Sequence, residues 1–340
     1  MARISSDCAV AAVAFVIASL YVAPVAAVTA QRTFVASYGQ SANIAAHCSI
    51  ANPCRQFSEA ISVTSAGGEV IVLDSAGYGA VTITQAVSII APPGVYAGIS
   101  VFSGNNGITV IAGSSDTVIL SGLSINNQGG ASGVHINSAG AVLIDRCVIN
   151  GMFNGVDFQP AAVTRLRISE TIVRNSSSSG FVGGAQNAAG AASPVEITRS
   201  LFQDNSYGIY MGDISRAAIT DTVVQGSGTS GITAYAGSLV TTNPSLAVDR
   251  TEITGNGEGI LALSGGAFIS VVNVSNSVIA NNGTGVDSST NGYVRVMGSQ
   301  ITGNGIGVNL TNNGIVASLG NNMRIGNGSN GPAAATITPY

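Results

Sequence analysis

The sequence has no tryptophan and no lysine, and only 8% of its 340 residues are charged. Aromatic residues make up 5%. A chain with so few long charged side chains covers its surface with Ser, Thr, Asn and Gly, as strand-rich repeat proteins do where turns recur often. The use of arginine in place of lysine is read as genome composition rather than chemistry. A net charge of −4, with no basic cluster, removes the electrostatic footprint of a nucleic-acid binder. Intrinsic disorder is excluded from the opposite side, because 46% of the residues are hydrophobic and net charge is low. Apolar runs long enough to span a bilayer are lacking beyond the first thirty residues.

Those first residues read as a secretory signal. Arg3 supplies a positive start, Ala9 to Val22 is almost wholly apolar, and Val28-Thr29-Ala30 offers small residues for cleavage before Gln31. An uncleaved anchor is the alternative, but the run is short and broken by Ser19 and Pro24. The expectation is an exported protein, extracellular or periplasmic, with no membrane span after cleavage. Cysteine is also scarce. Cys8 leaves with the signal, and Cys48 and Cys54 lie six apart, which in an oxidising compartment points to a small-loop disulfide. A metal site is the alternative, with His47 as its only nearby third ligand, and that set is incomplete. Cys147 stands alone.

What the sequence does have is a repeat. An apolar residue, two polar positions, a small residue, a variable one and a second apolar residue recur from Leu120, Ile144, Ile168, Ile197, Ile219, Val248, Val274, Val296 and, in decayed form, Leu319. The starts are 22 to 29 residues apart. Such self-similarity marks a solenoid, whose units bury their apolar faces only by stacking. The fourth position is held by small residues such as Thr171, Ser200, Thr222 and Ser277, and Cys147 falls in that column. A packed, inward thiol is the reading there, not a nucleophile. A second column pairs glycine with an apolar residue, as in Gly133-Val134, Gly155-Val156, Gly208-Ile209 and Gly285-Val286. Turns such as Gly255-Asn256-Gly257 separate the two columns and tolerate positive φ. Each rung is therefore two or three short strands with sharp corners. The calcium-binding nonapeptide repeat also uses Gly-Asn-Gly runs, but the Asp it needs in each is missing.

These units resemble the right-handed parallel β-helix repeats of the pectin-lyase-like superfamily. The segment Asn52-Pro53-Cys54-Arg55-Gln56-Phe57-Ser58-Glu59-Ala60-Ile61, with Gly67 to Leu73 and Val87 to Gly94 after it, resembles the entry region of exported bacterial members. The fold expected is all-β: a right-handed parallel β-helix with a short N-terminal capping helix near Phe57 to Val63, covering the open sheet end. The boundaries drawn are 1–30 for the signal peptide, 31–68 for the entry segment, 69–330 for the β-helix and 331–340 for a tail. Longer rungs place loops at Ser176 to Ser193 and within Thr229 to Pro244.

In enzymes of this superfamily, substrate lies along one exposed sheet. By strand alternation, the second residue after each column glycine points outward there: Thr109, His135, Asp157, Val182, Tyr210, Thr233, Leu261, Asp287 and Asn309. His135 and Asp157 fall one rung apart, and are the candidate general-base pair or, more plainly, a surface pair in a polar ladder. Tyr207, Tyr210 and Tyr235 cluster near the same face, suited to sugar stacking, to an interface or to anchoring a loop. Arg146, Glu170, Arg199, Asp221 and Arg250 form a second row of alternating sign, read as a register-fixing ion ladder in which each charge has opposite neighbours above and below. A lyase of this superfamily can use arginine as its base, which is the competing reading for this row.

The superfamily's enzyme signatures are missing. The Asn-Thr-Asp, Asp-Asp, Gly-His-Gly and Arg-Ile-Lys motifs of polygalacturonase-like hydrolases do not occur, nor does the Asp-Pro-His of alginate epimerases. Asp157 and Asp287, five rungs or roughly 24 Å apart by strand spacing, cannot share an ion. The sequence thus points to a non-catalytic, secreted binding or surface protein directed at extracellular or cell-wall polysaccharide, with no cofactor, no metal and no nucleic-acid partner. A divergent polysaccharide lyase or glycoside hydrolase around His135, Asp157 and Tyr210 is the second reading, and a structural adhesin the third. Oligomeric state is not legible.

Overall fold

The computed structural model describes residues 29–184, 193–213, 216–237 and 243–336. They form three parallel sheets that wind round one core. Sheet 1 has thirteen strands, from Ala30–Val35 to Ala335–Thr336. Sheet 2 has eleven, from Ala76–Gly77 to Met323–Ile325, and sheet 3 has ten, from Val81–Ile83 to Ile306–Thr311. Each strand pairs with its equivalents one rung before and one rung after, as a parallel β-helix requires. The chain visits sheets 1, 2 and 3 in turn. The interior is a continuous stack of Ile, Val, Leu and Phe, among them Ile144, Ile168, Ile197 and Ile219 on adjacent strands.

The repeat register is the one the sequence implies, from Leu120 through Val296. The last rung departs from it. Val296 pairs with Ser318 rather than Leu319, although Ile301 still pairs with Arg324. One extra residue is absorbed before Asn322, where Gly320 takes a φ of +81°.

The three corners are built differently. Sheet 1 passes to sheet 2 through two residues, such as Glu170–Thr171 or Arg250–Thr251. The first is left-handed, with φ of +50° at Glu170 and +45° at Arg250. The second turns its hydroxyl inward: Thr171, Ser200 and Thr222 follow one another, each accepting from the backbone N–H of the previous rung. Sheet 2 passes to sheet 3 through a left-handed residue followed, in the later rungs, by an asparagine that is buried at 256, 282 and 304 and partly exposed at 327. Asn256, Asn282, Asn304 and Asn327 stack there, each side-chain oxygen accepting from the asparagine before it, except Asn256, which accepts from the Ser227 N–H. This ladder satisfies backbone groups that a sharp corner would otherwise bury unpaired. The third corner, from sheet 3 back to sheet 1, varies in length. The strand Ser179–Gly183 occupies the start of the first loop expected from sequence, and Ser230–Ala236 the start of the second. Residues 185–192 and 238–242 lie outside the described residues, as do 1–28 of the expected signal.

The glycine column has a steric cause. A Cβ on Gly155 would lie 2.4 Å from the carbonyl oxygen of Gly180, and one on Gly208 2.5 Å from that of Gly231. Each column glycine thus leaves room for the backbone of the next rung.

The entry segment covers the first rungs. Helix Phe57–Ser62 opens with a capping box between Gln56 and Glu59 and buries Phe57, Ala60 and Ile61. The same segment also supplies a strand, Ala30–Val35, paired with Thr64–Val72. Cys48 and Cys54 are joined as a disulfide, Cα to Cα 4.9 Å, so their sulfurs are not available to a metal beside His47. At the other end, Ala335–Thr336 pairs with Ala317–Ser318 and prolongs sheet 1.

Candidate functional site

The outer face of sheet 3 carries the row expected from the glycine column. His135 pairs with Thr109 and Asp157, Asp157 with Val182, Val182 with Tyr210, and the register continues through Thr233, Leu261 and Asp287 to Asn309. These side chains alternate with buried Val134, Ile136, Val156 and Phe158, which fill the core and hold the strand's orientation.

His135 and Asp157 meet. Nδ1 of His135 lies 3.0 Å from Oδ2 of Asp157, and Ser132 Oγ donates to the same carboxylate at 3.4 Å. Both partners are partly exposed. Tyr210 is not part of that contact, because Val182 stands between it and Asp157 in the row.

The three tyrosines form one group. Tyr207 and Tyr210 meet edge to face with centroids 5.6 Å apart, and Tyr210 and Tyr235 lie at 6.3 Å, tilted by 35°. All three are half-buried. Glycines make room for them: a Cβ on Gly212 would meet the Tyr210 ring at 2.9 Å, and one on Gly265 the Tyr235 hydroxyl. Burial, with the neighbouring Tyr235, Tyr207 and Asp213, pushes the Tyr210 hydroxyl up to about 12.

Glu258 is a site residue that sequence reasoning missed. It precedes column Gly259, at the position Ser132 holds five rungs earlier, and Asp287 of the next rung stands where Asp157 stands relative to Ser132. Burial and the charge of Asp287 raise the Glu258 carboxyl above its ordinary value. Asp287 is only 8% exposed; its Oδ2 accepts from Asn309 Nδ2 at 2.8 Å, while its Oδ1 has no partner. The buried hydroxyls of Ser230 and Thr233, on the strand before Glu258, also lack partners. The signal was present in the sequence, in the row that precedes the glycines.

Charge divides the molecule by face. On the strands of sheet 3, Asp157, Glu258 and Asp287 are anionic and His135 is the one basic side chain. Every arginine among the described residues lies on sheets 1 and 2, in the corner between them, or in the entry segment. The corner row is not a continuous ladder. Arg199 pairs with Glu170 at 3.2 Å and Arg250 with Asp221 at 2.7 Å, while Arg146 turns to Asp145. Arg250 grips Asp221 through Nε and one terminal nitrogen and gives the other terminal nitrogen to Asp249 beside it, which leaves nothing directed at the next rung. Hydrogen bonding from Arg250 holds the Asp221 carboxyl below its usual value.

Among the described residues no group of three or more His, Cys, Asp or Glu converges on one point, and no helix is long and apolar enough to cross a membrane. Cys147 is buried, and desolvation pushes its thiol up to about 12.

A family model described as "Right handed beta helix region" matches residues 106–274. No curated protein matches the sequence. Among solved structures, pectate lyase Pel9A is similar at 14% identity over 85% of this chain and 74% of its own, with a TM-score of 0.51. The A-module of mannuronan C-5 epimerase AlgE4 from Azotobacter vinelandii is similar at 16% identity over 81% and 91%, with a TM-score of 0.56. XylC, in complex with xylose, is similar at 9% identity over 82% and 69%, with a TM-score of 0.57. At such identities the likeness shows the fold.

Proposed function

Starting from a chain that folds as a right-handed parallel β-helix, we propose that it is an exported protein that binds polysaccharide along the outer face of sheet 3, without cleaving it. The tyrosine group carries this reading. Tyr207, Tyr210 and Tyr235 present half-buried rings on one open face, and such rings give a sugar both an apolar surface and hydroxyl partners. The disulfide fits an oxidising compartment. The similar structures, titled as a pectate lyase, a mannuronan epimerase and a xylose complex, are in keeping with a carbohydrate ligand. Affinity electrophoresis of the chain through gels containing different glycans tests it. Retardation lost in Tyr210→Ala is the expected result, and no retardation in any glycan refutes the carbohydrate ligand.

The His135–Asp157 hydrogen bond favours a second reading, a divergent lyase or hydrolase with that pair as general base. Polymer size is then followed during incubation with acidic and neutral polysaccharides. Shortening that disappears in both His135→Ala and Asp157→Ala selects the enzyme; unchanged polymers, with folded protein, leave binding.

A further inference from the structure

Resting on the carbohydrate reading, we infer that Glu258 and Asp287 are the polar anchor of the sheet 3 face and that the glycan it takes is cationic, a polymer bearing free amino sugars, not a polyuronate. Two carboxylates one rung apart, on a sheet whose described strands carry no arginine, repel each other and call for a positive charge between them. The Ser132–Asp157 contact shows that side chains at these two repeat positions reach one another. Asn309 fixes one oxygen of Asp287 and leaves the other, buried, without a donor. Ser230, fully buried, adds an independent sign: its hydroxyl has no partner and it pairs in register with Glu258. Buried polar atoms left open in this way are costly unless a ligand completes them. An ammonium group supplies three donors and the missing charge.

The anchor and the tyrosines belong to one path. Tyr207 precedes Ser230, and Ser230 precedes Glu258, so ring and carboxylate are two rungs apart, about 10 Å by strand spacing. A short oligosaccharide lying along the axis covers both. A polyuronate on the same path meets Asp157, Glu258 and Asp287 with like charge, and only His135 opposes it.

The test is calorimetric titration of the full chain with short oligomers of glucosamine, of N-acetylglucosamine and of galacturonate. The expected result is glucosamine oligomers binding about tenfold or more tighter than the acetylated ones, with an advantage that shrinks as salt rises. In the double variant Glu258→Gln, Asp287→Asn, near-isosteric and checked for folding by circular dichroism, that advantage disappears while binding of the acetylated oligomer persists. Equal binding of the amine and acetylated forms, an amine preference kept in the double variant, or preferential binding of galacturonate overturns the anchor and leaves the tyrosine platform standing. Binding of none of the three, and of no glycan in the gels, removes the carbohydrate reading and the anchor with it.

Discussion

Cys147 and Thr171 stand one rung apart, and the backbone N–H of Cys147 donates to Thr171 Oγ1 at 3.2 Å. The thiol makes the bond its hydroxyl neighbours make. Sγ contacts the carbonyl of Asp145, two residues back, as Thr171 Oγ1 contacts that of Ser169 and Ser200 Oγ that of Thr198. Cys147→Ser should therefore cost less than about 1 kcal/mol in urea unfolding, since a hydroxyl completes the same ladder. With burial pushing its thiol up to about 12, Cys147 should also resist thiol reagents until the protein unfolds. Labelling at the rate of a free thiol in native buffer contradicts that placement.

The asparagine ladder should be far less tolerant. Asn282 accepts from the N–H and the side-chain amide of Asn256 and donates to the carbonyl of Ile253. Asn282→Ala orphans the buried Asn256 N–H, at about 1–3 kcal/mol, and takes one of two acceptors from the Asn256 amide, which keeps the Val224 carbonyl, so a loss of roughly 2–4 kcal/mol is expected from denaturant titration. Asn327→Ala, at the more exposed end of the ladder, should cost clearly less.

Glycines divide by what stands where a Cβ would be. Gly155→Ala must displace the carbonyl of Gly180 and the Val173 side chain, and should lose about 1–3 kcal/mol or more. At Gly77 the nearest atom is 3.9 Å away and φ is not positive, so Gly77→Ala should leave the melting temperature nearly unchanged. Similar losses at both positions would place the cost elsewhere than in the rung spacing.

Acid–base behaviour should distinguish the two ends of the candidate site. Glu258 is raised by burial and by Asp287, so its contribution to stability is present below its unfolded value of about 4.5 and is lost as pH rises through the folded one. Glu258→Gln should thus raise Tm at neutral pH by about 1–2 °C, with little change in strong acid. Tyr210, raised to about 12 by burial and its neighbours, keeps its contribution below about pH 10 and loses it as pH climbs through the folded value. Tyr210→Phe should blunt the alkaline fall in Tm. A Glu258→Gln protein that is less stable at pH 7 contradicts the electrostatic account of that residue.

Much of this was legible because the repeat is a ruler. Once Gly155-Val156 and Gly208-Ile209 are set in register, the outward row from Thr109 to Asn309 follows by alternation, and the structure pairs each member with the next. Cys147 is placed by its column in the same way. Legibility stops where the ruler slips or where contact runs diagonally. The extra residue at Gly320 shifts Val296 onto Ser318, and no apolar pattern marks that change. Glu258 and Asp287 belong to different rows, so neither column alone brings them together. The corner charges alternate in sequence, yet Arg199 turns to Glu170, Arg250 to Asp221 and Asp249, and Arg146 to Asp145, so the pairs do not join into one row; that is a matter of side-chain geometry that a one-dimensional pattern does not carry.

The unequal corners decide where this chain tolerates novelty. Two of them are braced by hydroxyl and asparagine ladders, and from Cys147 to Asn304 the length of each varies by one residue at most. The third has no such brace, and the connections after Gly183, Gly212, Ala236 and Ser264 already differ in length. Insertions are thereby channelled to the single edge that borders Tyr210 and Tyr235. New loops would arrive beside the proposed binding face without disturbing the spine, so what that edge presents can be redrawn while the scaffold stays as it is.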